Sequence, residues 1–152
     1  MDITLRPAQE TDFAFCWGIY AAESAGLLHA LNVDKASQGE YFRKRWSARE
    51  ARIIALDGAD IGWLQTRLQD GALFLAQFFI DPAFQNRGIG TVVMKRLLQE
   101  NASQAMTLEV VRINPAQRLY KRLGFYVTRE DEANAYMRRE PGITAPIANL
   151  RG

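Results

Sequence analysis

Two spacings of apolar residues alternate along the chain. Two-residue alternation and short apolar runs predict strands, and spacings of three and four residues predict helices. A first helix starts at 9–12 and ends before a loop at 26–32. The predicted strands are 3–6, 51–56, 61–68, 73–80, 107–113, 125–128 and 135–138, and the later helices cover about 34–46, 89–99 and 116–123.

The order of these segments predicts the fold class. It reads β, α, α, β, β, β, α, β, α, β, β. Asp57-Gly58 and Gln69-Asp70-Gly71 are turn signals, so the early strands should pair as antiparallel hairpins. The later strand-helix-strand passages imply parallel or splayed neighbours. We therefore expect an α/β fold with a mixed sheet and helices on both faces.

Length and composition indicate one soluble domain. The chain has 152 residues, of which 48% are apolar and 24% are charged, as is typical of globular proteins. We expect a single domain at 1–140. The segment 141–152 has little periodicity and should be a loosely ordered tail.

The charge pattern argues against nucleic acid and for a small anionic ligand. The formal net charge is only +2, yet residues 85–122 hold seven Lys and Arg against two Glu. A solvated basic face is the alternative reading. Cys16 is the only cysteine, so an intrachain disulfide is excluded. Without a leader or a membrane-length apolar run, we expect a cytoplasmic protein that binds neither membrane nor nucleic acid.

The most specific segment is Gln85-Asn86-Arg87-Gly88-Ile89-Gly90, which follows the apolar run Leu73–Ile80 and precedes a helical pattern. A glycine-containing turn between a strand and a helix can present several backbone N–H groups at the positive end of that helix. Such a place binds phosphate. The alternative is that the glycines only form the turn.

Two stretches resemble the GNAT superfamily of acetyl-CoA-dependent N-acetyltransferases. The run Ile80-Asp81-Pro82 to Gly90 fits the family signature Gln/Arg-x-x-Gly-x-Gly/Ala, and Leu108-Glu109-Val110 with Asn114–Phe125 is similar to its second cofactor segment. Leu5-Arg6-Pro7-Ala8 is similar to the usual first strand. The resemblance implies a sheet of six to seven strands, mostly antiparallel and splayed at its centre. It also implies acetyl-CoA as cosubstrate, and we expect no metal.

Coenzyme A carries a pyrophosphate and a long arm with amides. The turn can hold the pyrophosphate, and Arg87 can add a charged contact. By resemblance, the arm pairs with the backbone of a bulged strand ending at Ile80, whose N–H faces the acetyl carbonyl. Asn114 is expected to cap a helix and, by resemblance, to contact the arm. The expected cofactor-binding residues are Phe78, Phe79, Ile80, Asn86, Arg87, Gly88, Ile89, Gly90, Thr91 and Asn114.

Tyr120 is the expected general acid, because a phenol can donate a proton or a strong hydrogen bond to the departing thiolate. Its other role is apolar packing on its helix, and both can hold. Glu109 is the expected base if it is partly buried with a raised pKa, and a surface carboxylate is the alternative. Glu23 is the fallback base, with water as a further route.

The resemblance places one wall of the acceptor site between the first two strands. Tyr20, Glu23 and Trp46 are the expected substrate-binding residues, since aromatic rings and an acid suit a cationic amine. Core packing is the alternative for the two rings. His29 lacks a metal-spaced partner, and Cys16 reads as a core residue.

These features predict a transferase that moves acetyl from acetyl-CoA to a primary amine of a small molecule or a peptide by direct attack. The alternative is a sensor or interaction module that binds acyl-CoA without catalysis. A different nucleotide is disfavoured, because the chain lacks Gly-x-x-x-x-Gly-Lys-Ser/Thr. The acceptor amine, longer acyl groups and the choice between monomer and homodimer stay open.

Overall fold

The structure is a computed structural model that describes residues 1–30, 32 and 34–142. The predicted order of strands and helices is confirmed, with short 3₁₀ turns at Glu10–Asp12 and Pro82–Phe84. Strands β1 to β7 are Ile3–Pro7, Ala51–Leu56, Ala59–Gln69, Ala72–Ile80, Met106–Val111, Tyr126–Glu130 and Asn134–Arg139, and helices α1 to α4 are Phe13–Ala30, Lys35–Arg45, Ile89–Glu100 and Ala116–Arg122.

The seven strands form one mixed sheet in the order β1-β2-β3-β4-β5-β7-β6. Antiparallel ladders join β1 to β2, β2 to β3, β5 to β7 and β6 to β7. A parallel ladder joins Leu73–Leu75 of β4 to Met106–Leu108 of β5. The predicted fold class, a mixed sheet of six to seven strands with helices between them, is confirmed.

The hairpin turns follow their sequence signals. Asp57 and Gly58 have φ values of 49° and 87°, and Asp70 and Gly71 have 53° and 79°. Two successive left-handed residues match the twist of a hairpin, and Asp and Gly tolerate that conformation best. The predicted turns at both places are confirmed.

The first helix is longer than predicted. The expected loop at 26–32 is wrong, because α1 continues to Ala30. A glycine inside a helix costs only about 1 kcal/mol, and the leucines that follow Gly26 favour helix. At its start, Arg6 donates to both carboxylate oxygens of Asp12 at 3.0 Å, which ties β1 to the beginning of α1.

Two boundaries in the later part of the chain also differ from expectation. Strand β5 ends at Val111 instead of 113, because the N–H of Asn114 turns back to the carbonyl of Val111 at 2.9 Å. In α3, the apolar spacing of Ile89, Val92, Val93 and Leu97 predicts one shared buried face, but Val92 is exposed. Met94 is buried instead.

The chain divides into two compact units. The first comprises Met1–Gln65 and Gln77–Ile89, and the second comprises Thr66–Ala76 and the chain from Gly90 onward. The expectation of one domain at 1–140 stays a prediction, and the expected tail lies outside the described residues from 143 on.

The core of the first unit is aromatic. Cys16, Phe42, Ile53 and Trp63 are at most 2% exposed. Phe42 and Trp63 meet edge to face with ring centroids 5.7 Å apart. The second unit has its own aliphatic core, which includes Val93, Met94, Leu97, Met106, Leu108 and Met137.

Candidate active site

The loop after β4 combines left-handed residues with backbone N–H groups that point to no acceptor among the residues described. Asn86 and Gly88 have φ values of +63° and +81°, the left-handed region that favours Asn and Gly. In the described part of the chain, no acceptor is found for the N–H groups of Asn86, Arg87 and Gly88. All three residues are exposed. The loop therefore offers adjacent free donors to a ligand, as expected from the sequence.

Helix α3 begins directly after this loop, at Ile89. The first N–H groups of a helix lack intrahelical acceptors and carry partial positive charge. Gly90 and Thr91 lie in this first turn and are half-buried, whereas Ile89 is buried and anchors the turn. The Arg87 guanidinium lies 5.3 Å from the centroid of the Phe84 ring, so its charge stays beside the loop.

Gly62 of β3 lets the end of β4 approach closely. A Cβ atom on Gly62 would lie 2.3 Å from the carbonyl oxygen of Phe79 and 3.1 Å from the Cα of Ile80. Only glycine allows this approach. In the pairing of β3 with β2, the register shifts at Ile61, which has no partner residue in β2. This extra residue makes a β-bulge in β3. The sequence-based expectation of a bulge in β4 itself stays a prediction.

Both ends of the peptide that follows Ile80 are fixed. The Asp81 N–H donates to the carbonyl of Ile61 at 2.7 Å. The Ile80 carbonyl accepts from the Gln85 amide nitrogen at 2.8 Å. The strand end thus has a defined backbone geometry, which the expected oxyanion contact of Ile80 requires.

The expected cofactor residues Phe78, Phe79 and Ile80 are half-buried. The Phe79 ring packs against Trp63 at 5.6 Å and meets the Tyr20 ring edge to face at 5.5 Å. The side chain of Phe79 therefore serves the core, as the sequence reading allowed. Any contact with a bound thioester would come from the backbone.

Glu23 lies near the same strand end. Its Oε2 accepts from the Gln85 amide nitrogen at 3.0 Å, and that nitrogen is also the donor to Ile80. Glu23 is exposed, and Tyr20 is half-buried one turn earlier on α1. Within the first unit, the structure thus brings Tyr20, Glu23 and the end of β4 together.

Trp46 is a core residue, 8% exposed. With Tyr20, it lines a cavity of about 10 Å³ in the first unit, which has room for one water molecule. The indole N–H groups of Trp46 and Trp63 are buried and have no hydrogen-bond acceptor among the described residues. The remaining side chains around this cavity are Tyr41, Phe42, Arg45, Trp63, Gln65 and Gln77.

Tyr120, on α4 in the second unit, is 7% exposed. Burial raises the pKa of its phenol to about 12. No hydrogen bond to the phenol oxygen is found within the described residues. Its ring packs against Phe125 at 5.8 Å. A buried phenol that keeps its proton at neutral pH and has a free O–H can act as a hydrogen-bond donor.

The helix of Tyr120 is held at both ends. The Asn114 side chain accepts from the N–H of Ala116 at 2.8 Å, so it satisfies a first-turn donor, but the N-cap position is Pro115. The prediction of Asn114 as the N-cap is therefore wrong by one residue. At the other end, buried Arg139 donates through Nε to the Leu123 carbonyl at 2.7 Å.

Glu109 differs from expectation. It lies on β5 opposite Tyr136 of β7, and it is exposed instead of partly buried. Among the described residues its carboxylate has no hydrogen-bond partner. The alternation of β5, with buried residues on either side of Glu109, accounts for this exposure.

Sequence reasoning missed two residues at the strand end. Gln85 stood in the quoted motif without a role of its own, and Gly62 was read only as part of a strand. A glycine inside an apolar strand is a known sign of close backbone approach, so Gly62 had a signal. Gln85 had none, because its partners are 5 and 62 residues away in the chain.

The expected site residues divide between the units. Tyr20, Glu23, Trp46, Phe78–Ile80 and Asn86–Ile89 belong to the first, and Gly90, Thr91, Glu109, Asn114 and Tyr120 belong to the second. Among the described residues, no three His, Cys, Asp or Glu side chains form a group that could hold a metal ion.

None of the described helices is both long enough and apolar enough to cross a membrane.

Solved structures of known proteins share this fold. The PaiA N-acetyltransferase of Thermoplasma acidophilum, in complex with coenzyme A, is 17% identical, with 92% of this chain and 99% of that one covered and a TM-score of 0.69. The ribosomal-protein-S18-alanine N-acetyltransferase of Escherichia coli is 18% identical, with 93% and 96% covered and a TM-score of 0.68. An N-acetyltransferase of Staphylococcus aureus is 15% identical, with 89% and 98% covered and a TM-score of 0.70.

Sequence comparison adds the family. No curated protein matches the chain significantly. The model of the acetyltransferase (GNAT) domain matches residues 48–127, just over half of the chain, and this span includes the 85–90 loop and Tyr120. The chain therefore belongs to the GNAT acetyltransferase family, and it is an acyltransferase.

Proposed function

We propose that the protein transfers acetyl from acetyl-CoA to a primary amine of a small molecule or a peptide. The observation that carries this proposal is the loop of Asn86, Arg87 and Gly88, whose N–H groups have no acceptor among the described residues. Such donors, next to a helix N-terminus, fit the pyrophosphate of coenzyme A. A similar fold binds coenzyme A in the Thermoplasma protein.

The cosubstrate supplies an activated acetyl group as a thioester. The N–H groups of residues 86–91 would hold the pyrophosphate, and Arg87 would add a charge. The backbone of Phe78–Ile80 would pair with the amides of the arm. In this proposal the Ile80 N–H stabilises the negative charge that develops on the carbonyl oxygen.

Tyr120 and a carboxylate have complementary roles in this proposal. Tyr120 donates from its phenol to the departing sulfur, and its raised pKa of about 12 keeps the proton on the phenol at neutral pH. A base, Glu109 or Glu23, accepts a proton from the acceptor ammonium. Tyr20 belongs to the acceptor side, whereas Trp46, 8% exposed, serves the core. We propose a cytoplasmic setting for the reaction.

Release of free thiol from acetyl-CoA tests the proposal. The assay would use a panel of amino acids, polyamines, aminoglycosides and a peptide with an N-terminal alanine, the acceptor residue in the name of the Escherichia coli relative. We expect thiol release with at least one amine, and mass spectrometry should show an acetylated product. Binding of acetyl-CoA without release across the panel would support the non-catalytic sensor instead.

Gly88→Ala should weaken acetyl-CoA binding. Gly88 has a φ of +81° with nothing within 4 Å of an added Cβ, so the new methyl group meets no atom and the cost is in the backbone. A left-handed alanine costs about 1–2 kcal/mol, so the free loop of the variant should relax and acetyl-CoA must restore its conformation. The dissociation constant should therefore rise roughly 10-fold. Titration calorimetry measures the constant.

Gly58→Ala is the matched control. Gly58 has a φ of +87° and equally open surroundings, but it lies in the β2–β3 turn. It should lose about 1–2 kcal/mol of stability and keep the wild-type affinity for acetyl-CoA. Equal affinities of Gly88→Ala and the wild type would contradict the role of the loop.

A further inference from the structure

The Gln85 side chain links two parts of the first unit through one atom. Its amide nitrogen donates to the Ile80 carbonyl at 2.8 Å and to Glu23 Oε2 at 3.0 Å. A carboxamide NH₂ carries two hydrogens, so both donations are satisfied together. Glu23 is thereby tethered to the last residue of β4, although 57 positions separate Glu23 from Ile80 in the numbering.

The anchor of this tether is rigid. The Ile80–Asp81 peptide is held on its other side by the bond from the Asp81 N–H to the Ile61 carbonyl at 2.7 Å. Helix α1 approaches the same place independently, since the Tyr20 ring meets the Phe79 ring edge to face at 5.5 Å. Tyr20 and Glu23 are three residues apart on α1 and so share a side of the helix. The position of Glu23 beside the strand end thus rests on two sets of contacts.

Glu23 keeps free capacity to accept a proton. Only its Oε2 is used, and within the described residues Oε1 has no partner. The carboxylate is exposed, so an acceptor amine can reach it. Glu109 is also exposed, but none of the described residues forms a hydrogen bond to its side chain. An effective base is held in one geometry. Of these two carboxylates, Glu23 is the one that a hydrogen bond holds in place.

We propose that Glu23 is the base of the reaction and that Gln85 is the residue that positions it. This role rests on the proposed function. An ammonium RNH₃⁺ gives one proton to Glu23, and the neutral amine attacks the thioester carbonyl to form the C–N bond. As the C–S bond breaks, Tyr120 gives its phenol proton to the sulfur, which leaves as the free thiol, and the second proton lost by the nitrogen restores the phenol. One proton passes from Glu23 to solvent for each turnover.

A double-mutant cycle separates this role from a structural one. With the panel amine that the wild type acetylates fastest, Glu23→Gln should lower kcat/KM about 100-fold and Gln85→Leu about 10-fold. If Gln85 acts through Glu23, the double variant should be no slower than Glu23→Gln alone. Gln85→Arg, which retains donors for both partners, should recover most of the activity. The matched control is Glu40→Gln, an exposed glutamate on α2, which should equal the wild type.

A spectroscopic readout needs no acceptor amine. The two side-chain amide protons of Gln85 should give separated NMR signals that move when Glu23 is replaced by Gln and stay in place in the Glu40→Gln protein. If the Gln85 amide signals keep their positions in the Glu23→Gln protein, Gln85 does not tether Glu23.

Kinetic measurements decide whether Gln85 acts through Glu23 and whether Glu23 is the base. If Gln85→Leu slows the reaction equally in the wild type and in the Glu23→Gln protein, Gln85 has a structural role that does not act through Glu23. Wild-type kcat/KM in Glu23→Gln would remove the base assignment while acetyl transfer itself stands. If the wild type neither binds acetyl-CoA nor releases thiol, the proposed function fails instead, and this result is distinct from the others.

Discussion

Tyr120→Phe should lower the turnover number for acetyl transfer by about 100-fold while the dissociation constant of acetyl-CoA changes little. The phenol is 7% exposed, and its pKa is raised to about 12 by burial. It therefore remains a proton donor across the assay range, and it acts on the sulfur only as the C–S bond breaks. Loss of an interaction that is made only in the transition state lowers kcat and leaves ground-state binding intact. Thiol release and titration calorimetry measure the two quantities.

The pH profile adds a check on the same residue. Wild-type kcat should show no loss from phenol ionisation up to pH 10, since the Tyr120 pKa lies near 12. Tyr126→Phe is the matched control, because Tyr126 is 45% exposed on β6 of the same unit, and this variant should keep the wild-type rate. Unchanged turnover in Tyr120→Phe would dismiss the acid assignment.

Gly62→Ala should destabilise the protein by about 3 kcal/mol and remove most of its activity. The new Cβ would lie 2.3 Å from the Phe79 carbonyl oxygen, which is backbone and has no rotamer to change. The end of β4 must therefore move away from β3. This displacement carries Ile80, whose N–H is the proposed oxyanion donor. Denaturant unfolding and thiol release give the two measurements.

Gly18→Ala provides the control for this substitution. Gly18 lies within α1, and no atom lies within 4 Å of an added Cβ. Alanine there should stabilise the helix by about 0.5–1 kcal/mol and leave activity intact. A Gly62→Ala protein as stable and active as the wild type would show that the close approach of β3 and β4 is dispensable.

The order of strands and helices was predictable because each segment follows its own local rule. Turn pairs such as Asp57-Gly58 need left-handed backbone, and the apolar spacing of the helices reports their buried faces. The predicted boundaries of strands and helices were wrong where the local sequence signals were weak. The loop expected at 26–32 begins at Gly26, whose cost α1 absorbs.

The candidate site was predictable only in part. The left-handed Asn86 and Gly88 follow from the motif, and the buried Tyr120 follows from the helical stripe. The exposure of Glu109 and the link from Glu23 to Ile80 depend on contacts between distant segments. Such contacts leave no periodic trace in the sequence, so the proposal of Glu23 instead of Glu109 as the base depends on the structure.

Binding of acetyl-CoA tests the central claim, which is that backbone donors of the 86–91 segment hold the diphosphate of an acyl-CoA. The most direct measurement is the melting temperature with acetyl-CoA, with longer acyl-CoAs and with ATP, alongside calorimetric titration. We expect acetyl-CoA to bind one per chain and to raise the melting temperature, since a ligand at about 100 times its dissociation constant adds roughly 2.7 kcal/mol of stability, whereas ATP should cause no shift. The absence of heat and of any shift with every acyl-CoA would contradict the account.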